Sequence, residues 1–181
     1  MEKTGLFIGR FQPFHKGHLA TVKFALGKVN TLVIVVGSAQ KSHEERNPFT
    51  AGERIRMIKK SLEEESQIDI RHVLIVPVPD VGVHSLWTSQ VDTLVPKYDL
   101  VIANDSFTLM LFRERGVKVM EAPLHKRNEM AATEIRKRMA AGDSSWSSLV
   151  PPAVAKIIEE IDGVGRVKAI AERHNTDHLK P

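Results

Sequence analysis

The sequence predicts an α/β protein, a doubly wound parallel sheet of five strands followed by C-terminal helices. Three observations carry that prediction. Short runs of β-branched and aliphatic residues recur along the first two thirds of the chain, helical periodicity fills the gaps between them, and the pattern changes after Pro123.

Residues 5–9 are apolar and lead into loop chemistry, as a buried parallel strand does, and 16–28 then carry Leu19, Val22, Ala25 and Leu26 at helical spacing. Residues 31–37 are the clearest strand, β-branched at successive positions and so destined to be covered on both faces. Residues 38–50 form a long polar loop, a length that in compact domains accompanies function. Thr50 and Glu53 match a capping box, so a helix should run from there to about residue 65. Strands follow at 72–78, 98–103 and 117–120, with helices at 84–95 and 106–115 between them. Beyond Pro123 come a basic and polar loop at 124–129 and a helix at 132–141 stopped by Gly142; Trp146 is a packing anchor. A helix opened by Pro151-Pro152 runs to about 161, and a last short helix covers 165–174. The expected organisation is a single domain, 1–181, with a β/α core over 1–123, a helical part over 124–174 and a frayed tail over 175–181.

Composition narrows the chemistry. The chain has 181 residues, 42% of them hydrophobic and 27% charged, and its longest apolar run falls well short of the roughly 20 residues that span a membrane. The N-terminal residues lack the pattern of an export signal, so a cytoplasmic location is expected. There is no cysteine, which removes disulfides, thiolate metal sites and a cysteine nucleophile. The net charge of +4 is dispersed along helical segments, without the stripe or tail of a nucleic-acid binder, and points instead to a small anionic ligand.

The chemistry concentrates in Gly9-Arg10-Phe11-Gln12-Pro13-Phe14-His15-Lys16-Gly17-His18, at the carboxyl end of the first strand, where ligands of such sheets bind. A turn into a helix start can bring backbone N–H groups and two imidazoles, three residues apart on one face, to a polyphosphate. The two-histidine zinc pattern needs a spacing of four with an intervening glutamate, and neither it nor the Walker and dinucleotide glycine patterns is present.

That stretch resembles the His-x-Gly-His signature of the nucleotidyltransferases, and Met130-Ala131-Ala132-Thr133-Glu134-Ile135-Arg136 is similar to their second motif, Ile-Ser-x-Thr-x-x-Arg. Together with Gly37-Ser38-Ala39-Gln40, with Arg46-Asn47-Pro48-Phe49-Thr50-Ala51-Gly52-Glu53-Arg54 and with Leu86-Trp87, the resemblance is to the archaeal nicotinamide-nucleotide adenylyltransferase family and spans nearly the whole chain. It implies a Rossmann-like nucleotidyltransferase fold, and transfer of AMP from ATP to nicotinamide mononucleotide with release of NAD and pyrophosphate. The same signature also occurs in enzymes that use pantetheine phosphate or other acceptors.

By that resemblance His15, His18, Arg46 and Arg136 are the catalytic groups, and they bind ATP with Gly9, Arg10, Phe11, Asn104 and Thr133. Ser38, Ala39, Asp80 and Trp87 are the mononucleotide side. Trp87 could equally be core, Asp80 a turn cap, and Lys126-Arg127 a solvated loop or an oligomer contact. Mg²⁺ is expected to be held by ATP phosphates and water, without a side-chain metal site. The partners implied are the two substrates and further copies of the chain, a hexamer in this family, with no nucleic acid and no membrane. Where the second motif has serine this chain has Ala131 or Ala132, so one hydroxyl toward phosphate is missing.

Overall fold

The computed structural model describes residues 2–122 and 131–177. The basic loop 124–129, with Lys126-Arg127, and Met130 of the second motif lie outside the described residues, as do residues 178–181 of the tail. The described chain divides into two compact units, one of residues 2–10, 20–40 and 66–122 and the other of 11–19, 41–65 and 131–177.

The first unit is the sheet. Its strands are β1 (Thr4–Gly9), β2 (Thr31–Val36), β3 (Val73–Pro77), β4 (Leu100–Ala103) and β5 (Val119–Glu121), all parallel, in the order β3-β2-β1-β4-β5. The order reverses beside β1, so the carboxyl end of β1 lies at the switch point where such sheets bind ligands. Successive side chains alternate between faces. Leu6, Val33, Val35, Val101 and Ala103 form one core with Val91 of α3 (His84–Leu94) and with Leu109 and Phe112 of α4 (Ser106–Glu114). Phe7, Leu32, Ile34 and Ile102, the alternate residues, are buried too. Burial on both faces is the physical reason these strands read as continuous apolar runs.

In the second unit, α1 (Lys16–Leu26) starts and α2 (Ala51–Glu63), α5 (Ala132–Ala141), α6 (Pro152–Glu160) and α7 (Gly163–Asp177) are assembled, with α2 against α6 and α5 against α7. The capping box of α2 is present in full: Glu53 N–H donates to Thr50 Oγ1 at 3.2 Å and Thr50 N–H to Glu53 Oε2 at 2.8 Å. Trp146 sits in a 3-10 turn, Ser144–Leu149, and is 6% exposed. That turn and another at Ile70–His72 lack a periodicity long enough to read from sequence. α7 starts two residues before the expected 165. A Cβ at Gly163 would stand 3.0 Å from both Ile158 Cγ2 and Phe49 Cε1, so close packing keeps this glycine helical against its low propensity.

Candidate active site

His15 is the residue before the first turn of α1, and His18 is three further on. His18 N–H donates to His15 Nδ1 at 3.3 Å, and His15 N–H donates to His18 Nδ1 at 3.2 Å. This is the reciprocal geometry of a capping box, built from two imidazoles in place of a hydroxyl and a carboxylate. It gives the spacing of three its physical reason. The rings stack with centroids 3.5 Å apart; His18 also stacks on Phe14 at 5.6 Å and meets Phe11 edge-on at 4.8 Å. Phe11 is 1% exposed and holds φ at 53°, an uncommon conformation for a side chain of this size, and one that clusters at functional sites.

Burial lowers the His15 pKa to about 4, and burial followed by the charge of His15 holds His18 well below the ordinary imidazole range. Both rings are therefore neutral at pH 7. With each Nδ1 accepting from backbone, the proton of each ring is assigned to Nε2. Two neutral N–H donors suit phosphate oxygens. They offer no lone pair to a cation, and among the described residues no group of three or more His, Cys, Asp or Glu side chains could hold a metal ion.

Arg136, on the second turn of α5, donates from Nη1 to the backbone carbonyl of Gln12 at 2.8 Å and from Nη2 to Thr133 Oγ1 at 3.4 Å. This brings the second motif to the signature loop. The residue before α5 is Ala131, which makes no side-chain cap bond to that helix. A cleft of about 350 Å³ is lined by Thr133, Arg136 and Lys137 of α5, by Val167 and Ile170 of α7, and by Glu45 and Pro48 of the long loop. Arg46 lies between those two loop residues and is exposed.

In the sheet unit the mononucleotide candidates gather at strand ends. Ser38, with φ at 48°, donates from Oγ to Asp80 Oδ1 at 3.1 Å, and Asp80 N–H donates to Gln40 Oε1 at 2.9 Å. Ala39 N–H donates to the Val78 carbonyl at 3.1 Å, and Gly37 N–H to that of Gly9 at 2.9 Å. α3 begins after Val83, which makes no side-chain cap bond. Trp87 is partly buried and edge-on to Phe112 at 6.4 Å. Its Nε1 and Asn104 Oδ1, at the end of β4, are buried atoms with no hydrogen-bond partner among the described residues. Groups in that state are costly unless something supplies the missing bond. Arg10 is exposed just past the end of β1.

The cytidylyltransferase-like family model matches residues 6–138. The nicotinamide-nucleotide adenylyltransferase of Ignicoccus hospitalis is 49% identical over 93% of this chain and 98% of its own length. The chain belongs to this adenylyltransferase family. The nicotinamide-nucleotide adenylyltransferase of Pyrococcus furiosus is 43% identical over 93% of this chain and 89% of its own. Among solved structures, a bifunctional NMN adenylyltransferase/ADP ribose pyrophosphatase from Francisella tularensis, complexed with AMP and a manganese ion, matches with a TM-score of 0.75 at 26% identity. The match covers all of this chain, which spans 57% of that bifunctional protein's length. As a member of the adenylyltransferase family the chain is a nucleotidyltransferase, with the α/β fold its sequence predicts.

Two features of this adenylyltransferase escape a reading of the sequence. Gln12 is buried, and its side-chain amide pairs with both backbone groups of Phe49, donating to the carbonyl and accepting from the N–H at 2.9 Å each. Arg166 of α7 donates to the Pro48 carbonyl and grips Glu53 with both terminal nitrogens, at 2.7 and 2.9 Å. Burial alone would raise the Glu53 carboxyl, but hydrogen bonds from Arg166 and Thr50 and the Arg166 charge outweigh it and hold the pKa below the usual range. Both devices fix the loop that carries Arg46. Neither has a local signal, because each partner lies far away along the chain.

Proposed function

We propose that this chain transfers the adenylyl group of ATP to nicotinamide mononucleotide, yielding NAD and pyrophosphate in NAD biosynthesis. The observation that carries this reading is the pair of neutral imidazoles locked by their Nδ1 atoms, in a chain 49% identical to a nicotinamide-nucleotide adenylyltransferase across nearly its full length.

A mononucleotide phosphate oxygen attacks the α-phosphorus of ATP, a new P–O bond forms, and the bond to the bridging oxygen breaks with its electron pair leaving on pyrophosphate. No protein nucleophile is required, because the attacking oxygen is already an anion. Catalysis is then positioning and stabilisation of negative charge. His18 Nε2–H donates to an α-phosphate oxygen, and His15 Nε2–H serves the outer phosphates. Their fixed tautomers mean that no reorganisation is needed as charge develops. Arg136 and Arg46 hold the β- and γ-phosphates, where the planar guanidinium makes paired, charge-assisted bonds, with Thr133 and the start of α5 beside them. Gly9, Arg10, Phe11 and Asn104 complete the ATP set. Ser38, Ala39, Asp80 and Trp87 take the mononucleotide, Trp87 through its ring face against the partly cationic nicotinamide. When bound, Mg²⁺ would be held mainly by the ATP phosphates and would supply charge neutralisation on the leaving pyrophosphate. We assign the reaction to the cytoplasm and to a homo-oligomer, and a measured molecular mass tests the latter.

The decisive experiment is incubation with ATP, Mg²⁺ and nicotinamide mononucleotide, followed by assay of NAD and pyrophosphate, with pantetheine phosphate and flavin mononucleotide as competing acceptors. A second reading, a nucleotide sensor without turnover, draws on the absent cap at Ala131. Nucleotide binding without either product would favour it.

A further inference from the structure

We propose that Gln12 is a positioning residue for the outer phosphates, holding the Arg46 loop and Arg136 in one frame with the two histidines; this rests on the adenylyl-transfer reading. Gln12 is 2% exposed and acts in three directions. Its side-chain amide closes a two-bond pair with Phe49, as a neighbouring strand would. Its backbone carbonyl accepts from Arg136 Nη1. Its chain neighbour Phe11 meets the His18 ring. Phe49 in turn stands three residues after Arg46 and one before Thr50, the cap of α2. Pro48 has no N–H to give, so Phe49 is the first residue after Asn47 able to offer a donor and an acceptor together.

Because the pair is buried, removing one arm leaves a backbone group of Phe49 unsatisfied, and the loop relaxes away from the geometry that Arg46 and Arg136 share. A group needed only for folding would weaken all functions together. A positioning group for the phosphates should act on one side of the reaction.

The test uses the full chain with Gln12→Glu, which keeps the volume and the accepting arm, and Gln12→Met, which keeps the shape and loses both arms. Steady-state kinetics are measured beside calorimetric titration with inorganic pyrophosphate. The expected result is a kcat 10- to 100-fold lower, a pyrophosphate Kd raised at least about fivefold and a KM for nicotinamide mononucleotide within about twofold of the parent. Added to Arg46→Ala, either substitution should cost less than about threefold more, because the Gln12 side chain acts through the loop that carries that arginine. The proposal is overturned if kcat and pyrophosphate Kd stay within twofold of the parent, if the mononucleotide KM shifts as much as the pyrophosphate Kd, or if the effects of the two substitutions multiply. Should the Met variant not fold, the Glu variant is judged by the same criteria. A parent that binds pyrophosphate without making NAD would overturn the adenylyl-transfer reading alone, and the titrations would still decide the role of Gln12.

Discussion

The His18 ring closes the start of α1 through Nδ1, and its proton is assigned to Nε2. A His18→Ala variant should bind ATP nearly as the parent does and form NAD about a hundredfold more slowly, the scale of losing one preorganised donor. Initial rates of NAD formation at saturating substrates check it, and parental turnover would remove His18 from the mechanism. His15 makes a pH prediction. Unfolded, the imidazole takes its proton near 6.5; folded, only near 4. Between those values the unfolded chain binds more protons, so stability is full above the upper value and declines as pH falls toward the lower one. For His15 the loss is up to about 3 kcal/mol. Denaturant melts at a series of pH values should show the slope, and His15→Gln should flatten it. The proximity of these two side chains is legible in the sequence because a spacing of three is a local relation. Their neutral charge is not, since it comes from burial among Phe11, Phe14 and each other.

Two helix starts show how local signals and distant partners divide the work. α2 announces itself, with Thr50 and Glu53 forming the box that the sequence predicts. What the sequence omits is Arg166, which ties that box to α7. Both side chains of the pair are 20% exposed, so Arg166→Ala leaves Glu53 poorly solvated and should lower stability by about 2 kcal/mol, read by thermal or denaturant unfolding at pH 7. α5 presents the opposite case. It starts after Ala131 without a side-chain acceptor, so Ala131→Ser should add about 1 kcal/mol to stability. If that hydroxyl also reaches phosphate, the KM for ATP should fall, whereas an unchanged KM with raised stability would mean the serine serves only the helix. The substitution therefore separates the two roles.

Across the whole molecule the candidate residues separate into two sets. His15, His18, Arg46, Thr133 and Arg136 belong to one unit, and Ser38, Ala39, Asp80, Trp87 and Asn104 to the other. Trp87→Ala is expected to raise the KM for nicotinamide mononucleotide at least about tenfold, the scale of one lost aromatic stacking partner, with the KM for ATP within about twofold. Product assays varying one substrate at a time check this, and equal effects on both constants would assign Trp87 to packing against Phe112 instead.

Taken alone, the sequence determined the five strands, the capped start of α2 and the spacing of the two histidines, because each depends on periodicities and contacts within a few residues. The strand order β3-β2-β1-β4-β5, the clamp of Gln12 on Phe49 and on Arg136, and the grip of Arg166 on Glu53 were decided only by the tertiary structure. Those pairings join residues far apart in the chain, and the burial that neutralises the histidines exists only once the surrounding side chains have closed over them.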